Sequence, residues 1–93
     1  MKLRWTVPAL EDLKHISHRI ERDRNLAAAN RVCRSIYESI QFLRRHPHSG
    51  RIGSEPGTRE LVVPRLPYIV AYHVTPHEMV EILRIWHGAQ DRH

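Results

Sequence analysis

The chain has 93 residues, of which 41% are hydrophobic and 27% charged, so it can bury one modest core and is not compositionally disordered. Its 15 lysines and arginines outnumber 10 aspartates and glutamates, and the formal net charge of +5 favours an acidic or polyanionic partner. No apolar run approaches the roughly 20 residues that span a bilayer, and the N-terminus lacks a signal-peptide core. We therefore expect a single domain over residues 1–93, located in the cytoplasm without a membrane partner.

The first part of the chain predicts a strand followed by a helix. The strand is predicted over residues 2–6 from alternating apolar side chains, at Leu3, Trp5 and Val7. Pro8 suits the first turn of a helix, and the carboxylates of Glu11 and Asp12 are expected to oppose the positive end of its dipole. The apolar stripe of this helix repeats at spacings of three and four residues, at Leu10, Leu13, Ile16 and Ile20.

A second helix is predicted after the polar interruption at residues 23–25, and it ends before Pro47. Its apolar side chains recur at helical spacing, at Ala29, Val32, Ile36, Ile40 and Leu43. Because the connection between the two helices is short, they are expected to pack as an antiparallel αα-hairpin.

The last part of the chain predicts a loop and three strands. Residues 46–58 contain Pro47, Gly50, Gly53, Pro56 and Gly57, a density of helix and strand breakers that indicates a loop. Three segments rich in β-branched and aromatic residues follow, at 59–63, 68–74 and 79–86. The predicted fold class is α+β, with an N-terminal strand, an αα-hairpin and a three-stranded antiparallel meander.

Three segments near the C-terminus closely resemble toxins of the RelE/ParE superfamily. They are Gly57-Thr58-Arg59-Glu60-Leu61-Val62-Val63, Pro67-Tyr68-Ile69-Val70-Ala71-Tyr72 and Val80-Glu81-Ile82-Leu83-Arg84-Ile85-Trp86-His87-Gly88-Ala89-Gln90. The family's opening strand and first helix are similar at Trp5, Ala9, Leu10, Asp12, Leu13 and Ile16, and its helix end and loop at Leu43, Pro47 and Gly50-Arg51. The resemblance therefore covers nearly the whole chain and implies the RelE/ParE order of elements, β-α-α-β-β-β.

This resemblance implies a type II toxin that arrests growth and is neutralised by a cognate antitoxin. ParE-like members inhibit DNA gyrase and are not enzymes, whereas RelE-like members are endoribonucleases that cleave messenger RNA on the ribosome. A catalytically inactive, antitoxin-binding relative is a third alternative. No cofactor, metal or small-molecule substrate is expected, since the histidines at 15 and 18 and at 46 and 48 lack further ligands.

The resemblance also favours one of the two mechanisms over the other. Nuclease members often carry an arginine after the aromatic residue of the third strand and a tyrosine near the C-terminus. Here Ile69 follows Tyr68, and the chain reads Trp86-His87-Gly88. These departures remove one phosphate-binding cation and one catalytic group, so gyrase inhibition is favoured over RNA cleavage.

Four residues are the candidate functional side chains. His87 is the candidate general acid or base if the protein is a nuclease, because imidazole titrates near neutral pH. Arg59, Arg65 and Arg84 are candidates to bind phosphate or another target group. The alternatives are that His87 only ends the last strand, that Arg84 pairs with a carboxylate such as Glu60, and that the other two arginines are solvated.

Strand alternation makes a further prediction about the last strand. It places Arg84 on the face of Val80, Ile82 and Trp86, and His87 on the face of Glu81, Leu83 and Ile85. A joint Arg84–His87 site would then require a β-bulge near Trp86 or His87. Tyr68 and Tyr72 share one face of the preceding strand, where core packing is favoured over stacking on RNA bases.

Overall fold

The computed structural model describes residues 1–89 of the chain. It contains one strand, a pair of helices and then four more strands. Their bounds are β1 (Lys2–Trp5), α1 (Val7–Asp23), α2 (Leu26–Phe42), β2 (Arg51–Ile52), β3 (Arg59–Val62), β4 (Tyr68–Val74) and β5 (Met79–His87). The predicted α+β class and the order of its elements are confirmed, and β2 is an addition to them.

The strands form one five-stranded sheet in the order β1-β5-β4-β3-β2. The predicted antiparallel meander is formed by β3, β4 and β5, while β1 lies parallel to β5 on the far edge. The prediction of a loop over residues 46–58 is wrong at two positions, because Arg51 pairs with Glu60 and Ile52 pairs with Arg59. These two residues lie between the breakers Gly50 and Gly53, which limit the added strand to this length.

The start of α1 differs from the prediction. Thr6 does not continue the strand but caps the helix, and its Oγ1 accepts a hydrogen bond from the Ala9 amide at 3.3 Å. The side chain of Val7, the first helical residue, is 67% exposed and contributes nothing to a strand face. The first turn of α1 contains no acidic residue, so the predicted interaction of Glu11 and Asp12 with the helix dipole is wrong.

The connection between the helices is as short as predicted. Asn25 caps α2, and its side-chain oxygen accepts a hydrogen bond from the Ala28 amide at 2.8 Å. The helix ends at Phe42, before Pro47 as expected. The resulting hairpin packs on one face of the sheet, so the molecule consists of two layers.

The core lies between these layers and confirms most of the predicted apolar stripes. On α1, Ala9 and Ile16 are buried while Leu10 is 48% exposed, so the buried stripe is displaced by one residue at its start. Tyr68 and Tyr72 both belong to the core, as favoured from the sequence. Within residues 1–89, neither helix is long and apolar enough to cross a membrane.

Candidate functional site

A polar groove of about 300 Å³ lies between α1 and the end of β5. We call it the C-terminal groove. It is lined by Asp12, His15, Ile16, Arg19, Tyr68, Arg84, Ile85, Trp86 and His87. Two of the predicted site residues, Arg84 and His87, therefore line the same groove, together with cationic or titratable side chains from α1.

The groove forms where β5 extends beyond its neighbour. The strand β1 covers β5 only as far as the pair Trp5–Ile82, and Thr6 then bonds the Ile82 carbonyl through its amide at 3.1 Å and its hydroxyl at 2.7 Å. Farther along, the Ile85 amide donates to Asp12 Oδ2 at 2.8 Å. A side chain of α1 thus satisfies a strand-edge donor that no neighbouring strand reaches.

The same carboxylate binds Arg84. Its Nε donates to Asp12 Oδ2 at 2.7 Å and its second terminal nitrogen donates to Oδ1 at 3.0 Å, a bidentate geometry. The hydrogen bond to Asp12 raises the pKa of Arg84 above its ordinary value. The side chain of Asp12 is only 14% exposed, against 57% for Arg84, so the pair rests on a mostly buried carboxylate.

The alternative that Arg84 pairs with a carboxylate is confirmed, but the carboxylate is Asp12 on α1 and not Glu60 across the strands. Glu60 of β3 and Arg84 of β5 both pair with Ala71 of the central strand β4, so they lie on either side of it. The buried carboxylate of Glu60 instead accepts hydrogen bonds from Arg51 at 3.2 Å and from the Ser54 amide at 3.4 Å. The partner of Glu60 thus comes from the short strand β2, and the partner of Arg84 comes from α1.

A β-bulge interrupts β5 immediately before Arg84. Ala71 pairs with Arg84 and Tyr72 pairs with Ile82, so Leu83 is the extra residue of β5. The alternation predicted for this strand is therefore wrong at Leu83, and Arg84 does not share the face of Val80 and Ile82. From Arg84 to His87 the pairing with β4 is uninterrupted, so these two residues lie on opposite faces as predicted. The bulge lies earlier in the strand than Trp86 or His87. Ile85 is buried in the core beside Val80 and Ile82, a change of parity that follows from the extra residue.

His87 lies at the end of β5 against Tyr68. The two ring centroids are 5.6 Å apart with the rings nearly perpendicular at 79°. The Ala89 amide donates to His87 Nδ1 at 3.1 Å, so a neutral ring carries its proton on Nε2. The Gly88 amide donates to the Pro67 carbonyl and fixes the chain immediately after the histidine.

Arg59 and Arg65 lie away from the C-terminal groove. Arg59 donates to the carbonyls of His48 at 3.2 Å and Gly50 at 2.8 Å, which ties the loop after α2 to β3. Arg65 is exposed on the turn between β3 and β4 and borders a different hollow, beside α2. The structure therefore does not bring the three predicted arginines into one patch.

Sequence reasoning missed a second polar centre, the hydroxyl of Tyr72. This side chain is fully buried, and its hydroxyl accepts from the Gly50 amide at 2.9 Å and donates to the Pro47 carbonyl at 2.8 Å. Burial raises the pKa of Tyr72, and the hydrogen bond from Gly50 partly opposes that effect. The hydroxyl thus holds the loop that follows α2 against the sheet.

A third polar cluster crosses three strands on the sheet. Glu81 accepts a hydrogen bond from His73 at 2.6 Å and forms an ion pair with Arg4. The hydrogen bond from His73, followed by the interactions with Arg4, lowers the pKa of Glu81. No group of three or more potential metal ligands occurs within residues 1–89.

The comparisons with known proteins identify the family. Residues 3–92 match the family model described as "ParE toxin of type II toxin-antitoxin system, parDE". The chain belongs to the ParE toxin family. A relative of this toxin in Sinorhizobium fredii, described as "Putative toxin Y4kP", is 42% identical over 89 residues, which are 96% of this chain and 90% of the relative.

One solved structure agrees with this family, and two others share the fold. The structure described as a chromosomal ParDE system from P. aeruginosa has a TM-score of 0.86 and 28% identity, covering 94% of this toxin and 95% of that chain. The RelBE2 toxin–antitoxin complex from Mycobacterium tuberculosis has a TM-score of 0.68 and 24% identity, covering 92% and 95%. The E. coli RelBE complex shares the fold at a TM-score of 0.58 and 13% identity, covering 97% and 98%.

Proposed function

We propose that this toxin arrests growth by ParE-like inhibition of DNA gyrase. The observation that carries the proposal is the engagement of Arg84 by Asp12. Cleavage of RNA requires cations that stabilise the additional negative charge on phosphorus. Arg84 directs two of its donors at a carboxylate of its own chain, and that carboxylate would repel a phosphate brought into the same place.

The dispersal of the other arginines supports the same proposal. A nuclease site would need Arg59 or Arg65 beside Arg84, but Arg59 is bound to loop carbonyls and Arg65 lies on a turn outside the C-terminal groove. Under this proposal the protein is not an enzyme. Its exposed arginines and the end of β5 serve as a binding surface for a large protein target.

One observation favours RelE-like cleavage of messenger RNA as a second candidate. His87 lines the C-terminal groove together with His15 and Arg19 of α1 and the aromatic ring of Tyr68. In that case His87 acts as the general acid or base. Arg19 supplies the positive charge for the phosphate, because Arg84 is bound to Asp12. An inactive relative that retains antitoxin binding is the remaining alternative.

We further propose that a cognate antitoxin neutralises this toxin. The structures of M. tuberculosis RelBE2 and E. coli RelBE, which share its fold, are toxin–antitoxin complexes. The net charge of +5 suits a partner with an acidic segment.

Induced expression in a bacterium tests the mechanism. New 5′ ends of messenger RNA are mapped in the same cells in which double-strand breaks and the DNA-damage response are measured. The proposal predicts DNA damage with intact messages. Codon-phased cuts without DNA damage would establish the nuclease instead, and unimpaired growth would identify an inactive relative.

A further inference from the structure

A hollow of about 550 Å³ lies on the outer side of the helical hairpin, where no strand contributes to its wall. We call it the outer hollow. The C-terminal groove also borders α1 but shares no lining residue with it, so the two are separate features. The lining of the outer hollow combines the apolar side chains of Val7, Leu10 and Leu13 with Glu11, Lys14 and Cys33.

Large apolar side chains are exposed at the outer hollow. Val7 is 67% exposed and Leu10 is 48% exposed, although the other side of α1 is buried against the core. Tyr37 lies one helical turn after Cys33 on α2 and is 53% exposed. The solvent face of a surface helix is normally polar, so a cluster of apolar side chains beside a concavity indicates a face that is covered in an assembly.

The charges at the outer hollow balance each other. Its two charged lining residues are Glu11 and Lys14, and both are exposed. Within residues 1–89 neither takes part in an ion pair, although side chains three residues apart on a helix can reach each other. The hollow is therefore locally neutral in a chain of net charge +5, and it offers a carboxylate and an ammonium group to a partner.

The order of these side chains suits a second copy of the same helix. Val7, Leu10 and Lys14 follow one another at intervals of three and four residues, so they form one stripe along α1. When two such helices lie antiparallel about a two-fold axis between Glu11 and Lys14, each carboxylate opposes the ammonium group of the other copy. Because both copies carry +5, a neutral face is also where they repel each other least. An acidic segment or a nucleic acid would instead meet the like charge of Glu11.

We propose that the outer hollow is the contact face of a symmetric dimer of this toxin. Leu10 of each copy packs into the outer hollow of the other, and Glu11 and Lys14 form two identical ion pairs across the axis. Two helices of 17 residues lying about 10 Å apart present a face of about 25 Å by about 20 Å. This size approaches the roughly 800 Å² that a standard interface buries on each partner, so we expect a dissociation constant in the micromolar range.

Sedimentation equilibrium of the purified toxin tests the dimer. The weight-average mass is measured at protein concentrations from about 1 µM to about 300 µM, which bracket a micromolar dissociation constant. We expect it to rise from the 11.0 kDa of one chain toward twice that mass. A toxin that keeps the mass of one chain at every concentration would overturn the proposal.

A charge exchange tests the predicted ion pairs. Glu11→Lys and Lys14→Glu each create two like-charge contacts in a symmetric dimer, so each should raise the dissociation constant about tenfold or more. The double variant Glu11→Lys/Lys14→Glu restores opposite charges across the axis and should return the constant to within about threefold of wild type. Circular dichroism checks that every variant is folded.

Glu55→Lys is the matched control for the charge exchange. It makes the same change of charge at an exposed residue of the loop between β2 and β3, outside the outer hollow. We expect it to alter the dissociation constant less than about twofold. A double variant that dimerises no better than the single ones, or a control as damaging as Glu11→Lys, would overturn the two-fold arrangement.

Leu10→Ser and Ile52→Ser test the apolar contact. Ile52 is 75% exposed on β2, the edge strand farthest from β1, so its replacement removes a similar exposed side chain elsewhere. Only Leu10→Ser should weaken the dimer, by about tenfold. Cys33 is the only cysteine of the chain and reports whether the outer hollow is covered. A bulky maleimide should modify it more slowly at dimer-forming concentrations in wild type, but not in Leu10→Ser.

The same variants separate this inference from the proposed function. Inhibition of purified gyrase is measured in parallel with sedimentation. A wild-type toxin that stays monomeric, together with a loss of gyrase inhibition in Leu10→Ser, would assign this face to gyrase and overturn the dimer. A toxin that dimerises as expected but leaves gyrase unaffected would retain this inference and contradict the proposed function.

Discussion

Asp12 on α1 and Arg84 on β5 lie 72 positions apart in sequence and form a bidentate ion pair. Asp12 also accepts the Ile85 amide at 2.8 Å, so one carboxylate joins the helix to both the backbone and a side chain of the last strand. The pair therefore fixes the wall of the C-terminal groove and occupies the cation that RNA cleavage would use.

Asp12→Ala should destabilise the protein. The variant leaves the Ile85 amide and the Arg84 guanidinium without their acceptor. Leaving a partly buried donor without a hydrogen-bond acceptor costs about 1–3 kcal/mol of stability. The free energy of unfolding is measured by urea denaturation. Asp23→Ala is the control, because the ion pair of Asp23 with Arg22 is 3.5 Å long and exposed, and we expect it to change stability by less than about 0.5 kcal/mol. Equal effects of the two variants would contradict the anchoring role.

The sequence was sufficient to predict the layers of this fold but not its polar contacts. The apolar stripes on both helices and the periodicity of β3 to β5 predict which side chains are buried, because burial follows the local spacing of apolar residues. The pairing of Arg84 with Asp12 and not with Glu60 depends on the bulge at Leu83 and on where α1 crosses the edge of β5. Neither is encoded in a local pattern, so alternation alone placed Arg84 wrongly on the face of Val80 and Ile82, although it separated Arg84 from His87 correctly.

Tyr72→Phe should loosen the loop after α2. The substitution removes the acceptor of the Gly50 amide and the donor to the Pro47 carbonyl inside the core, at a cost of about 1–3 kcal/mol. Hydrogen exchange at the Gly50 amide should accelerate with the loss of stability. Tyr37→Phe is the control because Tyr37 is 53% exposed. Unchanged protection at Gly50 would show that the hydroxyl does not hold the loop.

Stability should also fall in strongly alkaline solution through Tyr72. Its pKa is raised by burial, so above the ordinary tyrosine pKa the unfolded chain loses a proton that the folded chain retains. The unfolded state is then favoured as the pH rises through that window. Denaturation at several alkaline pH values should show this loss in wild type and a smaller loss in Tyr72→Phe.

Glu81 predicts an acid-dependent loss of stability. Its pKa is lowered by the hydrogen bond from His73 and by Arg4, so it contributes stability above its ordinary pKa and loses that contribution as the pH falls toward the lowered value. Glu81→Gln should flatten this decline, while the exposed Glu11→Gln should not. Parallel pH profiles for all three proteins would refute the assignment.

His87→Ala discriminates between the two mechanisms. Under gyrase inhibition the imidazole performs no chemistry, so the variant induced without antitoxin should arrest growth to the extent that it still inhibits purified gyrase. His77→Ala, at an exposed histidine outside the groove, is the matched control. Loss of arrest in a folded His87→Ala protein that still inhibits purified gyrase would favour the nuclease.

The most direct test of the central proposal incubates the purified toxin with DNA gyrase and supercoiling substrate, and in parallel with ribosomes translating a defined message. The account predicts loss of supercoiling or trapped DNA cleavage, with the message intact. Codon-phased cleavage of the message together with unaffected gyrase would contradict it.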